Sequence, residues 1–315
     1  MNLTEASLIV VTPVYEDTAV FQTLLHALRL VVPSGLYVVA VDDGSVVHPL
    51  NTQAHHNAAV PGAVVTLKRN IGHQRAIAAG LRCVAEHIRP GQTVVIMDSD
   101  GEDVPADLQT LLEALESSGL DVVVARRASR AEGLLFRSFY FLYKLLFRTL
   151  TGRPIAFGNF MAMRDRAACR LACMPELDLH LAATVLASKL RVGQRSLDRG
   201  ARYAGQSKMN FVTLTLHGFR ALMVFTEDVL VRVSLSCVLI AMASVLLALI
   251  AVGLKLTGYS SPGWFSVALG VLVLIFLQTG TISLMTLLLT GVSRGKFAVN
   301  PADHVLLVDR ITEAG

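Results

Sequence analysis

The stretch TVVIMDSDGED (93–103) opens as a run of apolar β-formers and ends in four carboxylates, Asp98, Asp100, Glu102 and Asp103. A short apolar run bounded by polar turn residues reads as a buried strand. The same grammar recurs outward from it, in SLIVVTPVY (7–15), LYVVAVDDGS (36–45), AVVTLKRN (63–70) and LDVVVARR (120–127). Between these runs, FQTLLHALRLV, HQRAIAAGLRCVAEHI and PADLQTLLEALESS carry apolar residues at helical spacing, the last with Pro105 near its start. Strands alternating with helices predict an α/β fold with a mostly parallel sheet covered on both faces. Ligands of such sheets sit beyond the carboxyl ends of the strands. The polar segments Pro13–Asp17, Asp42–Ser45, Lys68–Gly72 and Asp98–Asp103 are therefore expected to converge on one rim.

Charge divides the 315 residues into three parts. Residues 1–125 carry 6 basic and 14 acidic side chains, a net −8, whereas residues 126–227 carry 17 and 6, a net +11. Residues 228–315 carry 5 and 4, a net +1. The apolar fraction is 53%, with only 17% charged, and the mean hydropathy of +0.55 is too high for a disordered chain. The four cysteines Cys83, Cys169, Cys173 and Cys237 make no disulfide framework in a chain of this length. Cys169 and Cys173 lack partners for a metal site and are expected to be buried small hydrophobes.

The third part decides the membrane question. VSLSCVLIAMASVLLALIAVGL (233–254) and WFSVALGVLVLIFLQTGTISLMTLLLTGV (264–292) are charge-free, and about 20 apolar residues suffice to cross a bilayer core. Two spans, about 231–254 and 264–291, are predicted around a turn, KLTGYSSPG, with Tyr259 and Trp264 at interfacial depth. Arg232, Arg294 and Lys296 outside the pair oppose the single Lys255 in the turn, so the positive-inside bias places both termini in the cytoplasm. The N-terminal stretch shows no basic region followed by a long apolar core, and no secretory signal is expected. FRSFYFLYKLLFRTLTGR (136–153) interleaves basic and aromatic residues as a helix lying in the membrane interface does. MNFVTLTLHGFRALMVF (209–225) reads as a second such helix, leading into the first span. The domain organisation that follows is a domain over 1–208, a juxtamembrane helix over 209–228, two spans within 229–293 and a tail over 294–315.

Crowded carboxylates at a strand end suit a hard divalent cation, because Mg²⁺ or Mn²⁺ prefers oxygen ligands and bridges to substrate phosphates. Without one, the groups repel and raise one another's pKa. Nothing matches G-x-x-x-x-G-K-[ST] or G-x-G-x-x-G, which argues against ATPase and dinucleotide-dependent functions. Nucleic acid is set aside because the rim is acidic and the basic segment is laced with membrane-seeking aromatics.

TPVYED (12–17), VDDGS (41–45), KRNIGHQRAIAAGL (68–81), MDSDGEDVP (97–105) and RYAGQSKMN (202–210), in this order, resemble glycosyltransferase family 2. The two terminal spans resemble its polyprenyl-phosphate glycosyltransferases, of the dolichyl-phosphate mannose synthase and bactoprenol glucosyltransferase kind. The resemblance implies a GT-A type, Rossmann-like fold, a nucleotide-sugar donor, a Mg²⁺ or Mn²⁺ ion and a lipid-phosphate acceptor at the inner membrane. It places Pro13, Tyr15, Glu16, Asp42, Asp43, Asn70, Gly72, Asp98 and Ser99 at the nucleotide sugar, and Asp98 and Asp100 on the cation. Arg126, Arg137, Arg202, Ser207 and Lys208 are implied at the lipid phosphate, the last three in the family's R-x-x-G-x-S-K loop. Glu102 stands where the family often has Gln, facing metal or sugar.

One position departs from the family. GNFMAM puts Asn159 where many members carry an Asp of a G-D-F-R motif, sometimes proposed as a base. A phosphate monoester has a second pKa near 6 and is largely dianionic at neutral pH, so a phosphate nucleophile needs little deprotonation. Asp100, Glu102, Asp103 and Asn159 are the catalytic candidates, and the expected step is an inverting in-line displacement. A processive polysaccharide synthase is the rival enzyme, but the chain lacks Q-x-x-R-W and has too few spans for a channel. A non-catalytic membrane scaffold retaining the fold is the rival of another class, motivated by Asn159 alone. The sequence leaves self-association open.

Overall fold

The strand Leu8–Val14 (β1) is buried along its whole length, which is why it reads as one continuous apolar run rather than an alternation. The computed structural model describes residues 1–127, 134–155, 157–204, 211–259, 261, 263–296 and 303–314. After β1 come the helix Thr18–Val31 (α1), Leu36–Asp42 (β2), Gln53–Ala58 (α2), Gly62–Leu67 (β3) and His73–Ala85 (α3). Thr93–Ile96 (β4), Leu108–Ser117 (α4), Val122–Arg127 (β5), Leu134–Thr151 (α5) and Met161–Arg164 (β6) follow. Next are Asp165–Ala172 (α6), Leu181–Ala187 (α7), Val192–Leu197 (β7) and Phe211–Met223 (α8). Thr226–Leu256 (α9), Trp264–Lys296 (α10), Asp303–Leu307 (α11) and Val308–Ala314 (β8) complete the chain.

Among the described residues these strands form one sheet in the order β7-β5-β6-β4-β1-β2-β3-β8. β3, β2, β1 and β4 run parallel, as do β5 and β7. β6 is antiparallel to both β4 and β5, and β8 is antiparallel to β3. Successive side chains of β1 feed opposite faces. Ile9 and Val11 join the layer of α3, α6 and α7, while Leu8 and Val10 join that of α1, α2 and α4. Helix α3 lies close on the sheet at Gly80, where an added Cβ would stand 2.5 Å from a Val41 methyl and 2.8 Å from a Val11 methyl.

The tail supplies α11 and β8, the strand that covers the β3 edge. Lys68 is tied to it twice, its N–H donating to the Leu307 carbonyl at 2.9 Å and its Nζ to the Leu306 carbonyl at 2.9 Å.

The cysteine expectation needs a correction. All four are free, but Cys169 is only half-buried and Cys173 is exposed. Cys173 follows the last residue of α6, and its backbone only caps that helix, so no packed face holds its side chain.

The chain divides into two compact units. One comprises Met1–Leu145, Arg153–Val224 and Val299–Gly315, and the other Leu146–Gly152 with Phe225–Ala298. In the second unit α9 and α10 pack on each other, and the hydroxyls of Ser234 and Thr286 are hydrogen-bonded. Both helices are long and apolar enough to cross a membrane. Arg232 donates to the Thr149 carbonyl at 3.0 Å, and Phe147 meets Phe225 edge to face at 5.8 Å.

Candidate functional site

β1 and β4 are neighbours from which the chain winds in opposite directions, β2 and β3 lying on one side and β6 on the other. A crevice at such a switch point is where open α/β sheets bind ligands, and the four polar loops meet there. Ser99 Oγ donates to the Pro13 carbonyl at 3.2 Å, joining the loops after β4 and β1. Ser45 Oγ accepts from the Glu16 N–H at 2.8 Å. Asp43 accepts from the N–H groups of Ile71 and Gly72 at 2.8 and 3.0 Å. The resulting cleft is lined by Pro13, Val14, Tyr15, Asp43, Asn70, Gly72 and His73.

Asp42 and Glu16 do a different job from the cleft residues. Asp42 is fully buried, accepting from the N–H of Ser45 at 3.0 Å and of Leu50 at 2.9 Å. Glu16, in the left-handed region at φ 53°, accepts from the N–H groups of Val46, Val47 and His48 at 2.6, 3.0 and 2.7 Å. The bond from Val47 is the largest of the effects that hold its carboxyl below the ordinary range. Both residues shape the loop after β2, and neither lines the cleft.

The acidic segment after β4 turns sharply at Gly101, φ +88°, with the Tyr203 ring stacked against it. Asp103 is buried and accepts from the Asp98 N–H at 2.9 Å, which fixes the turn from inside. Asp98 Oδ1 lies 3.1 Å from His73 Nε2, the Asp98 side chain being 23% exposed. Asp100 Oδ2 lies 3.0 Å from an Arg202 guanidinium nitrogen. Arg202 Nε donates to Glu102 at 2.6 Å, and Arg199 pairs with the other Glu102 oxygen.

Charge states follow from these contacts. Burial, with Asp98 and Glu102 nearby, pushes the Asp100 pKa up. Burial acts in the same direction on Glu102, but Arg199 and Arg202 outweigh it and hold its pKa down. Desolvation opposes the charge on His73, yet Asp98, Asp100 and Asp103 together keep its pKa above the ordinary imidazole value. Negative charge on the rim is thus faced by the Arg202 guanidinium at Asp100 and by the His73 ring at Asp98.

Asp98 and Asp100 fit a hard divalent cation by this measure. They offer oxygen donors one residue apart, both are reachable, and burial together with like charges raises the Asp100 pKa, which a bound cation would counter. Among the described residues no group of three His, Cys, Asp or Glu side chains forms a closed metal cage.

Asn159 lines a hollow with Glu102, Asp103, Gly158 and Arg199. Its Oδ1 accepts from Gln74 Nε2 at 3.0 Å, and its Nδ2 faces His73 Nε2 at 3.0 Å. Of the residues assigned to the lipid phosphate, Arg202 stands on the acidic rim. Arg126 is exposed at the end of β5, next to Ala125, which lines the same hollow as Asn159. Arg137 belongs to α5, and Ser207 and Lys208 lie outside the described residues. Sequence reasoning passed over His73, Gln74 and Arg199, although the first two stand inside the KRNIGHQR motif and Arg199 just before RYAG.

A mostly parallel sheet with a D-x-D turn at its switch point is the architecture of a GT-A type sugar transferase. The chain belongs to glycosyl transferase family 2, whose profile matches residues 9–170. It is 25% identical over 312 residues to the uncharacterized glycosyltransferase YkcC of Bacillus subtilis, covering 95% of this chain and 92% of that one. It is 28% identical to the undecaprenyl-phosphate 4-deoxy-4-formamido-L-arabinose transferase of Pectobacterium atrosepticum, over 78% of this chain and 76% of the relative. Glucosyl-3-phosphoglycerate synthase from Mycobacterium tuberculosis, solved with Mn²⁺, UDP and glucosyl-3-phosphoglycerate, shares the fold at a TM-score of 0.50 and 15% identity. That match covers 71% of this chain and 80% of the synthase.

Proposed function

We propose that the chain moves one sugar from a nucleotide-diphosphate sugar, a UDP-sugar being the first to test, to a polyprenyl phosphate such as undecaprenyl phosphate. The transfer takes place at the cytoplasmic leaflet of the inner membrane. The observation that carries this reading is the presence, in one family 2 chain, of an Asp98/Asp100 rim beside an open cleft and of two helices long enough to span a bilayer. Relatives named for undecaprenyl-phosphate and dodecaprenyl-phosphate sugar transfer support the acceptor class.

Two further surfaces favour a lipid substrate. α5 exposes Phe141, Leu142 and Leu145, and α8 exposes Leu216, Phe219 and Met223. The helices meet where Tyr143 Oη donates to the Gly218 carbonyl at 3.3 Å. Lys144 and Arg220 are exposed beside these apolar groups, the pattern of helices that rest in the headgroup region of an anionic membrane.

A phosphate oxygen of the lipid attacks the anomeric carbon from the side opposite the nucleotide. The bond from that carbon to the diphosphate oxygen breaks, and the electron pair leaves with the nucleoside diphosphate. The dianionic acceptor becomes a phosphodiester, so no proton has to be removed and the anomeric configuration inverts. Asp98 and Asp100 would hold a divalent cation, which would supply charge neutralisation for the departing diphosphate. Asp43, Asn70 and Gly72 shape the nucleotide side of the cleft, Asp103 holds the turn, and Arg202 Nη1, beyond the contacts to Glu102 and Asp100, offers a donor to an acceptor phosphate.

The test is incubation of purified protein with Mg²⁺ or Mn²⁺, a panel of nucleotide sugars and undecaprenyl phosphate. Nucleoside diphosphate should be released, with a glycolipid formed, only when the lipid phosphate is present. Asp100→Ala should lower kcat by about 10²–10³-fold. No glycolipid with any donor, or release of diphosphate without the lipid, would overturn the reading.

A further inference from the structure

A polar chain of fixed direction crosses the floor of the rim. It begins at the backbone N–H of Leu181, the first residue of α7, which donates to Gln74 Oε1 at 2.8 Å. Gln74 is only 4% exposed. A peptide N–H can donate but never accept, so the carbonyl end of the Gln74 amide must point at α7 and its nitrogen the other way. That nitrogen donates to Asn159 Oδ1 at 3.0 Å. That bond sets the orientation of the Asn159 amide, with Oδ1 toward Gln74 and the N–H groups of Nδ2 toward the rim, one side of Nδ2 facing His73 Nε2 at 3.0 Å.

We propose that Gln74 is a positioning residue that makes Asn159 a fixed hydrogen-bond donor to an oxygen of the bound sugar donor or lipid phosphate. This rests on the sugar-transfer reading above. An amide nitrogen carries two N–H groups, so the one beside His73 leaves a second for a ligand. Both reactants are anions whose oxygens need donors, and a carboxylate at the same point would repel them. Asn159 is therefore a replacement suited to donating, rather than a base that has lost its charge.

Gln74→Glu tests the direction of the chain at almost constant volume. Its carboxylate still accepts from Leu181 but cannot donate to Asn159, whose amide must then turn its carbonyl to the rim. kcat with undecaprenyl phosphate should fall about tenfold, roughly the worth of one hydrogen bond to an anion. Nucleotide affinity by calorimetry should stay constant, and the ¹⁵N resonance of His73 Nε2 at fixed pH should move. Asn159→Asp, which keeps the bond from Gln74, should also be slower than the parent and is the deciding variant if Gln74→Glu does not fold. Unchanged kcat and an unmoved His73 resonance in Gln74→Glu, or an Asn159→Asp enzyme faster than the parent, would overturn the proposal. If the parent itself transfers no sugar, the broader reading fails, while the side-chain amide ¹⁵N–H resonances of Asn159, compared between the parent and Gln74→Glu, still decide which way the amide points.

Discussion

Glu102 accepts from Arg199 and Arg202, and Arg202 reaches on to Asp100, so one guanidinium serves two carboxylates. This double clasp has a pH signature. The folded pKa of Glu102 lies below its ordinary 4.5, so its contribution is complete above that value and is lost as pH falls through the folded one. Glu102→Gln should cost about 1–3 kcal/mol near pH 7, and its deficit against the parent should shrink below about pH 4.5. Thermal unfolding of both proteins across pH 3–8 measures this. Residue types were the more legible part of the site. The spacing of Asp98 and Asp100, and their place at a strand end, were readable because a cluster of like charges has few other uses. The clasp on Glu102 was not, since Arg199 and Arg202 arrive from a loop far along the chain. Nor was the inward turn of Asp42, which looks like any loop carboxylate until its acceptors are seen to be filled from within.

β1 to β5 announced themselves because strands buried on both faces need apolar residues at every position. Of the remaining three only β8 left a trace, a strand-like stretch in the tail. β6 is four residues long, too short to establish a period. β7 is an edge strand of sequence VGQRSL with half its residues exposed, and β8, VDRITEA, is exposed over most of its length. Their pairing comes from partners distant in sequence, which no local pattern encodes. Elements packed at close range give the sharper prediction. At Gly80 the surface of α3 meets Val41 and Val11 with no room for a Cβ. Gly80→Val should therefore destabilise the sheet unit by about 1–3 kcal/mol or more through overpacking, read as an earlier denaturation midpoint. Gly158, where nothing lies within 4 Å of an added Cβ, serves as the control when changed to Ala.

At the scale of the whole chain, composition alone exposed the two long apolar helices, and charge asymmetry suggested their orientation. Connectivity adds a constraint: the chain leaves the sheet unit after α8 and returns to it with α11 and β8. Only an even number of crossings brings a chain back to one side of a bilayer. In membranes, then, Cys173 and a Tyr259→Cys substitution in the turn, each in a background without other cysteines, should react with an impermeant maleimide from opposite faces. Labelling of both from one face would mean that α9 and α10 lie along the surface instead. The return also orders biosynthesis. A nascent chain on the ribosome has made β3 long before β8, and it must emit both apolar helices before the strand that seals that edge exists. An open strand edge invites pairing with strangers, so until β8 has been made the β3 edge is the exposed seam of the growing sheet.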